Sequence, residues 1–229
     1  MNRTILSVLG VIIATAMTPS LVHGHGDVAP QPVNTDALPD VGEEWLEENP
    51  YRGQSADVWT RAIEIGDSGY NQNCARCHGL GVVSGGLAPD LRYLEAELDG
   101  DEWYVERFQH GYTQNGITKM PAFGELLGQK AAWAIRTYIE TRPGDGALDS
   151  VTPRLLEIRD QLKAMATGGD GDATALQSEL SGIADGIETE SGAPVADSVA
   201  FRAANILASA KPDFAKAAEV LTIGLSAAN

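Results

Sequence analysis

The sequence has no apolar run of the length that crosses a membrane. The apolar stretch near its start, Ile5–Met17, has thirteen residues and is followed by Pro19, whereas a transmembrane helix needs about 20 predominantly apolar residues. Arg3 precedes this stretch, and small residues follow it. These features predict a signal peptide over residues 1–24, cleaved near Gly24, and a mature periplasmic protein without a membrane anchor.

Positively charged residues are also scarce. The sequence has 16 lysines and arginines against 32 aspartates and glutamates, which gives a formal net charge of −16 at pH 7. Such a chain is a poor ligand for nucleic acid or for an anionic membrane surface. The acidic surface serves either to solvate the protein, as it also does in salt-adapted organisms, or to steer it towards a basic partner protein, and the sequence leaves both open.

Cysteine is the third scarcity, because the chain contains only Cys74 and Cys77. A structural zinc site would need a second pair of cysteines. An exported protein would ordinarily join two cysteines in a disulfide. Here they belong to the run Cys74-Ala75-Arg76-Cys77-His78. A histidine directly after a Cys-x-x-Cys pair is typical of covalent haem attachment, with thioethers from both cysteines and the imidazole of His78 on the iron.

The other axial position of the iron has several candidate ligands. Met120 is preferred, because it lies 42 residues after His78 outside any helical pattern, and Pro121 favours an extended backbone there. Met165 lies in an apolar helical pattern and fits core packing better. His110 fits a surface histidine, and the position can also be open. A methionine ligand predicts an electron carrier, whereas an exchangeable site beside His110 would predict a haem enzyme or a gas sensor.

Hydrophobic periodicity predicts an all-α protein with several parts. Residues 25–54 are rich in proline and acidic side chains and are predicted to be irregular. Helical patterns begin at Ser55, a predicted N-cap, and recur over residues 55–142. Residues 143–152 are predicted to be a linker, and residues 153–229 a helical region of about four helices. No strand pattern is evident.

Residues 56–142 resemble the class I cytochromes c. Gly66 and Tyr70 lie eight and four residues before Cys74, where that family has a glycine and an aromatic residue, and Tyr138 matches the aromatic position of its C-terminal helix. The resemblance implies a class I cytochrome c fold for these residues, and the helical region predicted after them would be a C-terminal bundle or appendage. It also implies that the helices holding Gly66 and Tyr138 cross closely, since a glycine allows the two backbones to approach.

The same resemblance assigns further residues to the haem site. It implies that the carbonyl of Pro89 accepts a hydrogen bond from the imidazole of His78 and thereby fixes its tautomer. Four apolar or aromatic residues are candidates for the wall of the haem pocket, although each also fits an ordinary core position: Tyr70, Leu91, Trp133 and Ile135.

Four segments resemble, more specifically, the periplasmic cytochromes that accept electrons from pyrroloquinoline-quinone (PQQ) alcohol and methanol dehydrogenases. They are His25-Gly26-Asp27-Val28, Gly42-Glu43-Glu44-Trp45, Asn49-Pro50-Tyr51-Arg52-Gly53 and the run from Tyr70 to Gly79. This resemblance implies one covalently attached haem c, a quinoprotein dehydrogenase as donor and an acceptor such as an oxidase. The helical region after Arg142 departs from that group and is predicted to be either a docking or dimerisation module, which would give a homo-oligomer, or a stabilising appendage.

Overall fold

The computed structural model describes residues 30–195 and 198–226, and the predicted signal peptide lies outside them. Its regular structure is almost entirely helical, which confirms the predicted fold class. The α-helices are α1 (Ala56–Asn73), α2 (Ala75–His78), α3 (Leu98–His110), α4 (Gly124–Glu140), α5 (Thr152–Ala166), α6 (Ala173–Asp185), α7 (Val199–Leu207) and α8 (Phe214–Ser226). Two short 3₁₀ turns lie at Leu80–Val82 and Leu91–Tyr93.

A small β-hairpin interrupts the helical pattern. Strands β1 (Tyr112–Gln114) and β2 (Ile117–Met120) pair antiparallel. Asn115 and Gly116 in the turn have φ of 53° and 74°, a left-handed conformation that an Asn-Gly pair adopts readily. The expectation that no strand is present is therefore wrong here, because strands of three and four residues are too short to show an alternating pattern.

Helices α1 and α4 cross at Gly66, as the sequence predicted. A Cβ atom on Gly66 would overlap the carbonyl oxygen of Ala134 and lie 2.8 Å from Cβ of Tyr138. One turn further on, the rings of Tyr70 and Tyr138 pack with centroids 5.5 Å apart. The hydroxyl of Ser55 caps α1 by accepting a hydrogen bond from the amide of Val58. This crossing fixes the end of α1, from which the haem motif follows.

Buried charges fasten the irregular N-terminal segment to α3 and α4. Arg136 on α4 lies 2.8 Å from Asp101 on α3, and neither side chain is exposed. Arg52 bridges Asp101 and the equally buried Glu140 at 2.9 and 2.8 Å. Asn49 adds hydrogen bonds to the same two carboxylates. The segment before α1 is thus irregular in conformation but tied firmly to the core.

The described residues form two separate hydrophobic cores. One gathers side chains between residues 38 and 139, and the other gathers side chains between residues 155 and 225. The second core belongs to α5–α8, the four described helices that follow residue 151. These four helices turn their apolar faces towards one another, and among their described residues Ile223 is the one large apolar side chain that is strongly exposed. No described helix is both long enough and apolar enough to span a bilayer.

Polar contacts join the part of the chain that holds the first core to the part that holds the second core. The amide of Gly144 donates to the carbonyl of Glu188 at 2.9 Å, and Pro143 forms a β-bridge with Thr189. From the first part, the amide of Ala96 donates to the carbonyl of Ser191 at 2.9 Å. The segment predicted as a linker is therefore held along its side by the turn that precedes α7.

Candidate haem-binding site

The Cys-x-x-Cys-His run occupies a single helical turn after α1. The amide of Cys74 bonds the carbonyl of Tyr70 at 2.8 Å, and the amide of His78 bonds the carbonyl of Cys74 at 3.0 Å. Gly79 ends the turn with φ of 87°, and a Cβ atom there would overlap the carbonyl of Val83. The hydroxyl of Tyr70 donates to the carbonyl of Gly79 at 2.8 Å. The chain therefore presents both thiols and the imidazole together.

All three of these side chains line one cavity of about 590 Å³. Its volume lies within the range of about 300–1,000 Å³ that is usual for small-molecule and cofactor sites. The wall is mostly apolar and aromatic, and it is built by α2, the loop after it, α3 and the hairpin. Further lining residues are Asn73, Leu87, Ala88, Pro89, Leu91, Trp103, Tyr104, Arg107, Phe108, Tyr112, Gln114, Lys119, Met120 and Phe123.

The imidazole of His78 is held in one orientation. Its Nδ1 lies 2.8 Å from the carbonyl oxygen of Pro89, the contact that the family resemblance implied. Since a carbonyl can only accept, Nδ1 carries the proton and Nε2 retains its lone pair. Burial lowers the pKa of His78 and outweighs the opposing effect of the Pro89 hydrogen bond. The residue is therefore neutral near pH 7 and suited to bind a metal through Nε2.

Of the candidates for the other axial position, Met120 lines the cavity together with His78. Met165 instead packs in the core of α5–α8, and His110 is exposed at the end of α3. Neither of these two residues lines the cavity. Beside the imidazole, the described residues of the cavity thus offer a thioether and no second histidine.

The expected pocket wall needs correction at three positions. Leu91 lines the cavity, but Tyr70, Trp133 and Ile135 do not. Tyr70 packs on Tyr138, and the ring of Trp133 lies against Tyr104 with centroids 6.3 Å apart. A Cβ atom on Gly69 would be 3.1 Å from the Ile135 side chain, which places Ile135 in the α1–α4 contact. These residues fill the core behind the cavity, because the apolar face of α4 is used against α1 and α3.

Residues on α3 and the hairpin form much of the cavity wall, although the sequence did not lead us to expect them there. Trp103, Tyr104, Arg107 and Phe108 repeat at the spacing of one helical face, a signal that the sequence carries. The guanidinium of Arg107 lies 5.2 Å from the Trp103 ring centroid and 5.4 Å from that of Tyr112. The hairpin residues of the wall could not be predicted from periodicity, because strands of three and four residues are too short to show a pattern.

The residues present fit a haem. Cys74 and Cys77 are free thiols in the structure, and burial, followed by the neighbouring Cys77, raises the pKa of Cys74 to about 12. The cavity is apolar, as a porphyrin requires, and its described lining residues include the cations Arg107 and Lys119 but no carboxylate. That charge suits the two propionate groups of haem. The described residues contain no cluster of histidine, cysteine and acidic side chains that would suit a metal ion alone.

Comparisons with known proteins agree with this site. Residues 61–139 match the family described as cytochrome C oxidase, cbb3-type, subunit III. A cytochrome c550 of Pseudomonas aeruginosa is 48% identical over 131 residues, which are 57% of this chain and 90% of that protein. No solved structure matches.

Two larger proteins of Pseudomonas putida match a shorter part. The quinohemoprotein alcohol dehydrogenase ADH IIB is 33% identical over 82 residues, and ADH-IIG is 33% identical over 86 residues. These matches span 35% and 38% of this chain but 11% of each dehydrogenase. The similarity to the P. aeruginosa cytochrome, in contrast, runs over nearly the whole of that relative. The chain therefore belongs to the cytochrome c family, as a monohaem c-type cytochrome that binds haem c covalently and carries electrons rather than catalysing a reaction.

Proposed function

We propose that this cytochrome works in the periplasm, where it accepts single electrons from a PQQ-dependent alcohol dehydrogenase and passes them towards a terminal oxidase. The observation that carries the proposal is the 33% identity to parts of two quinohemoprotein alcohol dehydrogenases. Those names combine a quinone and a haem in one alcohol-oxidising protein. A separate cytochrome with a similar haem segment is suited to serve a dehydrogenase that lacks a haem of its own.

Different residues of the cavity would hold different parts of the haem. The haem would supply an iron that gains and loses one electron. Cys74 and Cys77 would hold the haem through thioethers, and His78 and Met120 would bind its iron. Pro89 orients the imidazole through the hydrogen bond to Nδ1. A methionine sulfur in the second axial position raises the reduction potential. With both ligands supplied by the folded chain, no position is left for a substrate.

Exposed apolar side chains beside the haem motif form the proposed contact with the dehydrogenase. Leu80 and Leu87 are 78% and 77% exposed, and Val83 is 53% exposed. Leu87 also lines the cavity, so this patch adjoins the haem. Apolar patches rimmed by polar residues mark interaction sites, and electron-transfer complexes use small, weak interfaces. We call Leu80, Val83 and Leu87 the apolar rim.

The charge around the cavity favours solvation as the role of the acidic surface. Arg107 and Lys119 are among the residues that line the cavity, and none of the described lining residues is acidic. The acidic residues that give the net charge of −16 therefore lie outside the described lining. Docking of the donor then depends mainly on the apolar rim, and its rate should change little with salt.

Stopped-flow mixing tests the proposed donor. Oxidised cytochrome is mixed with a purified PQQ alcohol dehydrogenase that has been reduced by its alcohol, and the haem absorbance is followed. Leu87→Glu should slow the second-order reduction about tenfold or more, since it buries a charge at the interface. Ile223→Glu on α8, where the side chain is 61% exposed, is the matched control and should react like the wild type. No haem reduction, or equal slowing by both variants, would rule out this donor or this contact.

For residues 153–229 we infer a stabilising appendage in preference to a docking or dimerisation module. The apolar faces of α5–α8 are buried against one another, so they offer little apolar surface to a second subunit. A monomer mass in solution is expected from multi-angle light scattering of the loaded protein. A stable dimer would instead support the predicted homo-oligomer.

A further inference from the structure

We propose that Arg92 positions the axial ligand His78, and that the C-terminal helical region holds Arg92 in place and thereby tunes the reduction potential. The proposal rests on membership of the cytochrome c family and is independent of which protein donates the electron. Its basis is a continuous set of polar contacts from the turn before α7 to the loop that presents the carbonyl of Pro89.

The loop that carries Pro89 is closed by its neighbour Asp90. The carboxylate of Asp90 accepts a hydrogen bond from the amide of Ser84 at 3.2 Å, and the hydroxyl of Ser84 donates back to the carbonyl of Ala88. These contacts pin residues 84 and 88 to one another immediately before Pro89. The direction of the Pro89 carbonyl, and so the hydrogen bond to His78, depends on where Asp90 is held.

Arg92 holds Asp90. Its guanidinium donates to both carboxylate oxygens of Asp90, at 3.1 Å from Nε and 2.8 Å from one terminal nitrogen. The backbone amide of Arg92 adds a third bond to the same carboxylate at 3.0 Å. The side chain is 4% exposed, so the two-pronged contact is shielded from water and more rigid than a surface ion pair.

The other side of the Arg92 guanidinium is bound by the segment after α4. Asp145 accepts at 2.6 Å and the carbonyl of Pro143 accepts at 3.2 Å. Asp145 also accepts from the hydroxyl of Tyr93 at 3.0 Å. The backbone of this segment is bound in turn by the C-terminal region, since the amide of Asp145 donates to Glu190 at 2.9 Å. Arg92 is therefore clamped between the Pro89 loop and a segment that the C-terminal region holds.

These contacts are expected to affect the reduction potential of the haem iron. A firm hydrogen bond from Nδ1 makes a ligating imidazole more basic, and a more basic ligand favours oxidised iron. Loosening the Arg92 contacts should therefore weaken the bond between His78 and Pro89, speed exchange of the Nδ1 proton and raise the reduction potential.

Two charge-matched pairs of variants test the proposal in the loaded, full-length protein. Arg92→Lys keeps the charge but loses the two-pronged contact, with Arg61→Lys on α1, where the side chain is 54% exposed, as its control. Asp145→Asn removes a carboxylate that is 62% exposed, with the exposed Asp149→Asn nearby as its control for lost charge. Exchange of the His78 Nδ1 proton is measured by proton NMR of the reduced protein, and the potential by titration with mediators.

Both test variants should exchange the Nδ1 proton roughly three- to tenfold faster than the wild type, and their potentials should rise above those of their controls. Asp145→Asn lies on the surface and should fold even where Arg92→Lys does not. The proposal would be overturned if both test variants kept the wild-type rate of Nδ1 proton exchange and the wild-type reduction potential. Changes of the same size in Asp149→Asn would show a general charge effect and overturn it equally. Wild-type behaviour of Asp145→Asn alone would remove the part of the proposal that concerns the C-terminal region.

Discussion

Gly66 of α1 lies directly against the backbone of Ala134 in α4. A Cβ atom at this position would overlap the Ala134 carbonyl. Backbone atoms cannot move aside as a flexible side chain can, so Gly66→Ala must push the two helices apart. The helices that carry the haem motif and close the core are thus held at a distance that glycine alone permits.

Gly66→Ala is expected to lower the free energy of unfolding by about 1–3 kcal/mol or more. Gly182→Ala is the matched control, since Gly182 also lies within a helix and a Cβ atom there would meet no neighbouring side chain or other element within 4 Å. That variant should gain up to about 1 kcal/mol. Urea unfolding followed by circular dichroism measures both. Equal stability of the two variants would contradict the close crossing.

Arg136→Met tests the buried charge cluster. It removes the buried guanidinium from Asp101 and Glu140, whose carboxylates then keep the partly exposed Arg52 as a cationic partner. Breaking a buried ion pair on one side costs about 3–5 kcal/mol. Arg61→Met breaks an exposed pair with Glu64 and should cost no more than about 1 kcal/mol. A loss of similar size in both variants would refute a structural role for the buried cluster.

Met120→Ala tests the axial ligand. The oxidised protein should lose the weak far-red charge-transfer band of methionine ligation and bind carbon monoxide rapidly once reduced. Met165→Ala is the control in the second core, where it should keep the band but lower stability by about 2–5 kcal/mol. A band kept in Met120→Ala would mean that another methionine fills the position. A wild type that itself lacks the band and binds carbon monoxide rapidly would instead favour the alternative of a haem enzyme or gas sensor.

Lowering the pH should weaken the Pro89 loop through Asp90. Burial alone would raise the pKa of Asp90, but hydrogen bonds from the Arg92 side chain and the Ser84 and Arg92 amides lower it below its usual value. Because the pKa is lower in the folded than in the unfolded chain, the stabilisation is complete above the unfolded value of about 3.9 and is lost as the pH falls through the folded value.

The stability difference between the wild type and Asp90→Asn should therefore be large at pH about 6 and shrink below pH about 4. Guanidinium unfolding of the loaded proteins at a series of pH values measures it. Asp36→Asn, at an exposed position in the N-terminal segment, is the control and should match the wild type throughout. A difference that grew towards low pH would have the wrong sign for this mechanism.

Local patterns predicted the parts of this protein whose chemistry lies within a few neighbouring residues. The two thiols and the imidazole belong to a single turn, so their spacing alone indicates haem attachment. Ser55 caps α1 because a hydroxyl reaches the first-turn amides in any such helix. Helical periodicity likewise revealed α5–α8 and their separate apolar faces.

Packing decided the parts that depend on residues far apart in the chain. Trp133 and Ile135 are large apolar residues of the kind that often line a cofactor pocket. In the fold they are buried in the core instead, because α4 packs against α1 and α3. The hairpin that brings Met120 to the cavity is formed by strand pairing, and its Tyr112 lies against Arg107 of α3.

The sequence by itself therefore determined the cofactor, the attachment residues and the helical fold class, because each follows from contacts within one turn or one helix face. Only the tertiary structure decided which methionine shares the cavity with His78, which aromatic residues surround it, and that the C-terminal helices reach the Pro89 loop through Asp145 and Arg92. Contacts between residues far apart in the chain leave no periodic trace in a single sequence, since they depend on how whole helices are packed.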